Sequence, residues 1–335
     1  MRITREMLLN LARETAERTA RRQRDIVCIF LIGSLLDEEP LLGGSGDIDL
    51  VIIHDAEPLA PREVQRLSDE ITLDVAHLGL AAFQPARRLR HDPWLGSALW
   101  GNPLVLYDRQ HWLEFTQASG TAQFTLPENV YQRAQRLAQA ARARWRDLNE
   151  TPPAPLDAAW GLLEAATQAA NAIACLSGAP LTERRFVLNF PARAQAVARP
   201  GLAAGLTDLI GGEAAAREGL QTWKSAWLEA LEAVATCADA PPRLSAARRA
   251  YYQRPVEALA TEQPLAAWWI QWRTWTRALV HLGATSPCYA DWHAAGEALG
   301  LGLSHLPQQL AALDAYLDTV EETLDQWAAQ HGARL

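Results

Sequence analysis

The strongest structural signal in the sequence is IVCIFLIGSLLDEEPLLGGSGDIDLVIIHD, residues Ile26–Asp55. It opens and closes with apolar, β-branched runs, Ile26–Ile32 and Ile48–Ile53, which predict two buried strands joined by a glycine-rich loop. Asp47 and Asp49 lie at the start of the second run. Because residues two apart in a strand point to the same face, the sequence predicts two carboxylates that project together from one face of a sheet.

Two neighbouring carboxylates repel each other, and a run this apolar would bury them at a high cost unless a cation lies between them. A divalent metal ion is the obvious candidate. A third acid, Asp74, lies in the middle of the alternating stretch Ile71–Gly79, which predicts a third strand. Together with Asp47 and Asp49, it would complete a magnesium site of the two-metal kind.

The residues at the end of the first strand suggest what such a metal would accompany. Gly33 lets backbone approach a phosphate closely, and Ser34 offers a hydroxyl and an N–H at a predicted helix N-terminus, which favours anions. Phosphate contacts, paired aspartates and a third acid are the elements of nucleotidyl transfer. The alternatives are ordinary: a turn at Gly33, solvated acids at the strand entry, or Asp69 or Glu70 in place of Asp74.

The order of these residues resembles a known signature. An apolar strand, Gly33-Ser34, twelve intervening residues and then Asp47-Ile48-Asp49 are similar to the motif of the DNA polymerase β-like nucleotidyltransferase superfamily. The stretch is most similar to the small bacterial members that include the aminoglycoside-modifying adenylyltransferases. The resemblance implies that Gly33 and Ser34 cradle the β- and γ-phosphates, that Asp47 and Asp49 bind two Mg²⁺ ions, and that Asp74 acts on the acceptor hydroxyl.

The same resemblance implies a function. We expect a Mg²⁺-dependent nucleotidyltransferase that moves a nucleoside monophosphate, AMP from ATP, to a hydroxyl of a small-molecule acceptor and releases pyrophosphate. The alternative is a partner-binding or protein-AMPylating nucleotidyltransferase-like protein of the toxin–antitoxin type. A nucleic-acid polymerase is the third reading, and the net charge of -8 opposes it because gripping a phosphate backbone needs basic patches.

Composition bounds the class of protein. The 335 residues, 49% of them apolar, exceed one ordinary core and predict two domains. No window approaches the roughly 20 apolar residues of a membrane span, and the N-terminus lacks the apolar core of a signal peptide. The four cysteines are far apart, without a metal-ligand spacing to histidine, and predict reduced thiols in a cytoplasmic protein. A homodimer is compatible with this composition.

The remaining chain divides by texture. Residues 4–24 predict an amphipathic helix capped by Thr4, residues 61–70 a short surface helix, and residues 103–108 a strand at the sheet edge. From Pro127 onward only helical periodicity remains, with a turn at Thr151–Pro155. The fold class predicted is therefore α+β, with a small mixed-sheet nucleotidyltransferase domain over residues 1–120 followed by an all-α helical bundle over residues 121–335.

The helical part holds one unusual segment, Ala266–Gly283, which is rich in tryptophan. Trp268, Trp272 and Trp275 recur at helical spacing, and such a stripe usually faces a core. The other reading is an aromatic wall that stacks on a nucleobase, with Arg273 or Arg277 reaching a phosphate.

Overall fold

The computed structural model of the protein describes residues 3–150 and 153–333, so the first two residues of the predicted Thr151–Pro155 turn lie outside it. The described chain forms two compact units. The first comprises the N-terminal part through Phe124 together with Pro241–Arg254, and the second comprises Thr125–Ala240 and the chain from Pro255 onward. Pro241–Arg254 thus belongs with the sheet, although its composition resembles that of the helical part.

The first unit is built on a mixed five-stranded sheet, as an α+β chain requires. Its strands are β1 (Ile26–Ile32), β2 (Gly46–His54), β3 (Arg62–Arg66), β4 (Ile71–Gly79) and β5 (Leu104–Asp108), in the order β3-β4-β2-β1-β5. The pair β2 and β4 is parallel, and the other neighbours are antiparallel. The predictions of β1, β2, β4 and the edge strand β5 are confirmed.

Each face of this sheet is covered by its own apolar cluster. Helix α1 (Arg5–Arg22) begins after Thr4, whose hydroxyl accepts a hydrogen bond from the Met7 N–H at 3.3 Å, so the predicted cap is confirmed. Leu8 and Ala12 of α1 pack on one face, against side chains that include Ile29, Leu31, Ile48, Leu50 and Ile52. The other face carries Val51 and Ile53, and by strand alternation also Asp47 and Asp49.

The helix predicted over residues 61–70 is wrong, because Arg62–Arg66 forms the edge strand β3. A proline at the start of a charged segment is typical of a first helical turn, but charges are also what an exposed sheet edge needs to avoid pairing with other chains. The side chains of this strand are exposed or half-buried. This strand supplies Arg62 to the site described below.

Two short helices complete the first unit, α2 (Leu95–Trp100) and α3 (Trp112–Gly120), and helix α10 (Arg249–Leu259) spans the boundary between the units. Regular structure in the described part of the second unit is helical: α4 (Pro127–Glu150), α5 (Pro155–Cys175), α6 (Phe186–Ala196), α7 (Gly201–Leu209), α8 (Gly212–Thr222), α9 (Lys224–Ala235), α11 (Pro264–Leu282), α12 (Tyr289–Ala298) and α13 (Leu306–His331). None of the helices described is at once long and apolar enough to cross a bilayer.

The tryptophan stripe of α11 lies in the core of the second unit. Trp268, Trp272 and Trp275 are each at most 2% exposed, and Trp272 stacks on Trp268 and on Trp292 with ring centroids 5.4 and 5.6 Å apart. The two arginines of this helix are held by acids, Arg273 by Glu164 and Arg277 by Glu183, each at 2.6 Å. The structure therefore favours the interpretation that the tryptophan stripe faces a core over the interpretation that it forms an aromatic wall for a nucleobase.

Candidate functional site

Three carboxylates converge where β2 and β4 run side by side. The parallel register places Asp49 opposite Asp74, and one oxygen from each of Asp47, Asp49 and Asp74 lies within 4.8 Å of the others. Asp47 and Asp74 are buried, at 7% and 2% exposure. The predicted convergence of the three acids is thus what the structure shows, and it follows from strand alternation and from the pairing of the two strands.

The alternatives to Asp74 are engaged elsewhere. Asp69 pairs with Arg66 beside the turn that follows β3, and Glu70 pairs with Arg254 at 3.0 Å. Among the described residues, the acid that joins Asp47 and Asp49 is Asp74.

Gly33 lies against this cluster. Its φ is +82°, and a Cβ built at this position would overlap with Oδ2 of Asp49. The left-handed backbone and the close carboxylate each require a glycine here. The residue itself is exposed, so the backbone beside the acids is open to solvent.

Ser34 differs from its predicted setting. It starts a 3-10 turn of three residues, Ser34–Leu36, and not an α-helix, so the helix-type anion site predicted here is absent. Its hydroxyl donates to the carbonyl oxygen of Pro40 at 3.0 Å, which closes the loop that leads to β2. Arg5 of α1 fixes the same turn, because its Nε donates to the Leu35 carbonyl at 2.9 Å.

Two arginines that the sequence reasoning missed contact the acids. Arg62 of β3 meets Asp74 twice, with Nε 2.7 Å from Oδ1 and Nη2 2.8 Å from Oδ2. Arg248 bridges two acids: its Nη1 lies 2.8 Å from Oδ2 of Asp47, and its Nη2 pairs with Oδ2 of Asp74. Arg248 Nη1 also donates to the Thr72 hydroxyl at 3.2 Å. Paired charged groups of this kind are the condition under which carboxylates can be buried.

Arg248 is the more buried of the two arginines, with a side chain 3% exposed against 30% for Arg62. Its guanidinium carbon stacks 4.1 Å from the ring centre of Tyr251. Burial lowers the pKa of Arg248, but the effects of groups that include Tyr251 and Asp47 raise it by a larger amount. The net pKa therefore lies above its usual value. Burial lowers the pKa of Arg62, against the opposing effect of Asp49. Arg248 is thus a permanent cation within the cluster.

The donor set fits a hard divalent cation in its chemistry, because three carboxylates on adjacent strands are oxygen ligands of the kind Mg²⁺ prefers. In the conformation described, the compensating charge comes from the two guanidiniums. The same carboxylate oxygens cannot bind a metal ion and pair with the guanidiniums at full strength at the same time. Sequence reasoning had no signal for this, because Arg248 lies 201 positions after Asp47 and sits in an ordinary arginine-rich segment.

Two histidines near the site, His54 and His77, belong to a separate polar group. His54 Nε2 lies 2.9 Å from His77 Nδ1, and His54 Nδ1 lies 2.7 Å from Asp25. The hydrogen bond from His54 lowers the pKa of Asp25, and burial lowers the pKa of His77, partly offset by Glu63. His77 is three residues from Asp74 in β4, so strand alternation places it on the opposite face from the acids.

No family model matches the chain, and a comparison with curated proteins found no match.

Proposed function

We propose that the protein is a Mg²⁺-dependent nucleotidyltransferase that transfers a nucleoside monophosphate, AMP from ATP, to a hydroxyl of a small molecule. The observation that supports this best is the convergence of Asp47, Asp49 and Asp74 from two strands in register, beside the open backbone at Gly33. The spacing of these residues also resembles the nucleotidyltransferase signature. Asp47, Asp49 and Asp74 would hold magnesium, which when bound neutralises phosphate charge during transfer.

At the α-phosphorus, the reaction makes one bond and breaks one, and the proton of the acceptor hydroxyl passes to a carboxylate. The oxygen of the acceptor hydroxyl bonds to the α-phosphorus, the bond from that phosphorus to the bridging oxygen breaks, and pyrophosphate leaves with the electron pair. Asp74 is the residue we assign to the hydroxyl proton, because it lies opposite Asp49 and on the same cluster. This assignment requires that Asp74 be released from at least one of its two arginines, since an acid saturated with donors is a poor proton acceptor.

The rest of the catalytic effect comes from the positioning of the phosphates beside the cluster. Gly33 leaves the side of the cluster free of a side chain, which allows the phosphates to approach the backbone. The loop acids Asp37, Glu38 and Glu39 are exposed to solvent, so their charge is screened. The Ser34 hydroxyl holds the loop, so we assign the backbone N–H of Ser34 to the phosphates.

The test uses ATP labelled at the α-phosphate, with separate small-molecule and protein fractions of a cell extract as acceptors. We expect Mg²⁺-dependent label in the small-molecule fraction, and no transfer by the Asp47→Asn/Asp49→Asn variant. Asp69→Asn, an exposed acid outside the cluster, is the matched control and retains activity.

Two outcomes would change the proposal. Label on a protein of the extract would replace the small-molecule acceptor by a protein side chain, as in the AMPylating alternative. Calorimetry that detects no Mg²⁺-dependent binding of ATP to the unmodified protein would remove nucleotidyl transfer altogether.

A further inference from the structure

Arg248 contacts two of the three acids that would hold a metal. Its guanidinium pairs with Asp47 and Asp74 simultaneously, and its side chain is 3% exposed, against 6% for Asp47 and 1% for Asp74. With Arg62, it brings two positive charges to the cluster of three carboxylates. A divalent cation added to this set would meet one buried and one half-buried guanidinium at close range, and charges of like sign at such distances repel strongly.

The two arginines differ in how they are held. Arg62 belongs to β3, whose backbone pairs with β4 along its length. Arg248 ends the second of two 3-10 turns, Pro242–Leu244 and Ala246–Arg248, which precede α10. Arg248 is therefore the arginine whose departure disturbs the sheet least.

We propose that Arg248 is a resident cation that the acids exchange for metal, and that the polyphosphate of the nucleotide is its second partner. This inference rests on the proposed function of the site. Guanidinium groups bind phosphate oxygens in the same bidentate way in which they bind carboxylates, so Arg248 gains a partner when nucleotide arrives. Asp47 and Asp74 are then free for metal. Metal and nucleotide consequently bind with positive coupling.

Manganese binding, followed by the electron paramagnetic resonance of the free aqueous ion, measures this exchange without turnover. In the absence of nucleotide, we expect Arg248→Gln to bind Mn²⁺ at least tenfold more tightly than the unmodified protein. A non-hydrolysable ATP analogue should tighten Mn²⁺ binding to the unmodified protein more than to Arg248→Gln. Arg254 lies in the same segment as Arg248 but pairs with Glu70, outside the three-acid cluster. Arg254→Gln should therefore bind Mn²⁺ as the unmodified protein does.

The results separate this inference from the proposed function. Equal or weaker Mn²⁺ binding by Arg248→Gln, with clear binding by the unmodified protein, overturns the exchange and leaves the transferase proposal in place. If neither the unmodified protein nor Arg248→Gln binds Mn²⁺ more tightly than Asp47→Asn/Asp49→Asn does, with or without nucleotide, both the exchange and the transferase proposal are overturned.

Hydrogen exchange of the unmodified protein gives a second readout that does not depend on how the variant folds. The amides of residues 241–254 should exchange several times faster when Mn²⁺ and the ATP analogue are added together. Unchanged exchange in this segment under saturating ligand contradicts the release of Arg248.

A second cluster, within the helical unit, carries an independent inference. Cys237, Asp239 and His281 each offer one donor atom, and these atoms lie within 4.8 Å of one another. The sequence predicted no such site, because His281 lies far along the chain and comes close only through the packing of α9 on α11. That packing is fixed by the Trp227 Nε1 hydrogen bond to the Thr274 hydroxyl at 2.9 Å.

The chemistry of this cluster differs from that of the three aspartates. Sulfur, imidazole and carboxylate are the ligands of zinc, and three protein ligands with an open fourth position form one of its common sites. Cys237 follows the C-terminal end of α9, and His281 lies in the last turn of α11, so two helix ends direct partial negative charge at the cluster. Tetrahedral zinc needs sulfur, nitrogen and oxygen donors roughly 3.3–3.6 Å apart. The Nε2 of His281 lies 3.4 Å from Oδ1 of Asp239, and the exposed side chain of Asp239 can adjust its position toward the thiolate.

We infer that Cys237, Asp239 and His281 bind a zinc ion. Cobalt is the spectroscopic probe, because a tetrahedral site with a thiolate ligand gives strong visible bands and a sulfur-to-metal charge-transfer band, whereas the all-oxygen aspartate site gives neither. One equivalent of Co²⁺ should produce these bands, and Zn²⁺ should bleach them. Cys237→Ser should lose them, and Cys288→Ser, the other half-buried thiol, should keep them. Absence of the bands, or their persistence in Cys237→Ser, overturns the zinc site.

Discussion

Charge compensation at single residues decides how the acid cluster behaves. In a typical site that lacks its metal, carboxylates repel each other, so removing one charge relieves the fold. Here Asp74 is 1% exposed in its side chain and is held by Arg62 and Arg248 together. Removing its charge therefore deprives the buried Arg248 and the half-buried Arg62 of a shared partner.

The substitution Asp74→Asn tests the sign of this effect. We expect it to lower the free energy of unfolding by about 3–5 kcal/mol, the usual cost of breaking one partner of a buried ion pair. Urea unfolding in the presence of a chelator measures it. Asp69→Asn, at an exposed pair, should change stability by less than about 1 kcal/mol. A gain in stability for Asp74→Asn would mean that repulsion, and not pairing, dominates the cluster.

Gly33 tests the geometry beside the acids. Gly33→Ala places a methyl group against Asp49, at a residue whose φ of +82° already disfavours a side chain, so we expect Mn²⁺ and ATP to bind at least tenfold more weakly. Gly44 has a φ of +73° and open space around it, so Gly44→Ala carries the backbone strain alone, about 1 kcal/mol. Calorimetry compares the two variants. Equal loss of binding in both would show that strain, and not contact with Asp49, is responsible.

At the scale of elements, the parts of the sheet that form the acid site could be predicted from sequence, and its edge could not. The β-branched runs of β1 and β2 and the alternation of β4 are strong signals, and they place Asp47, Asp49 and Asp74 together. Arg62–Arg66 has one apolar residue, Val64, so its sequence lacks the apolar alternation that marks a strand, and the preceding proline and the charges favoured a helix.

The histidine pair on the other face of the sheet predicts how stability depends on pH. Burial holds the pKa of His77 below the 6.5 of an exposed histidine, so the folded protein binds this proton less readily than the unfolded chain does. Stability should therefore be complete above about pH 6.5 and fall as the pH drops toward the folded pKa. Asp25, whose pKa is also lowered, changes the stability only below about pH 3.8.

Urea midpoints measured between pH 7.5 and 5 check this expectation. The unmodified protein should lose stability across that range, and His77→Gln should show a flatter profile. His111→Gln, at an exposed histidine, should leave the profile as it is. A profile that is the same with and without His77 would assign the pH dependence to another group.

At the scale of the whole chain, the sequence indicated two parts but not the route between them. The change in texture near residues 119–126 marks where the first unit ends, at Phe124. The return of Pro241–Arg254 to that unit has no compositional signal, because it is a short arginine- and tyrosine-containing segment between helices. Arg248 could therefore not be placed by pattern, although it contacts two of the three acids.

The most direct test of the account is the anomalous diffraction of crystals grown with Mn²⁺ and a non-hydrolysable ATP analogue. We predict a manganese peak bound by Asp47 and Asp49. The phosphates should lie beside Gly33, and Arg248 should have moved away from the acids. A nucleotide-saturated crystal in which Arg248 still bridges Asp47 and Asp74, with no manganese peak at the cluster, would contradict it.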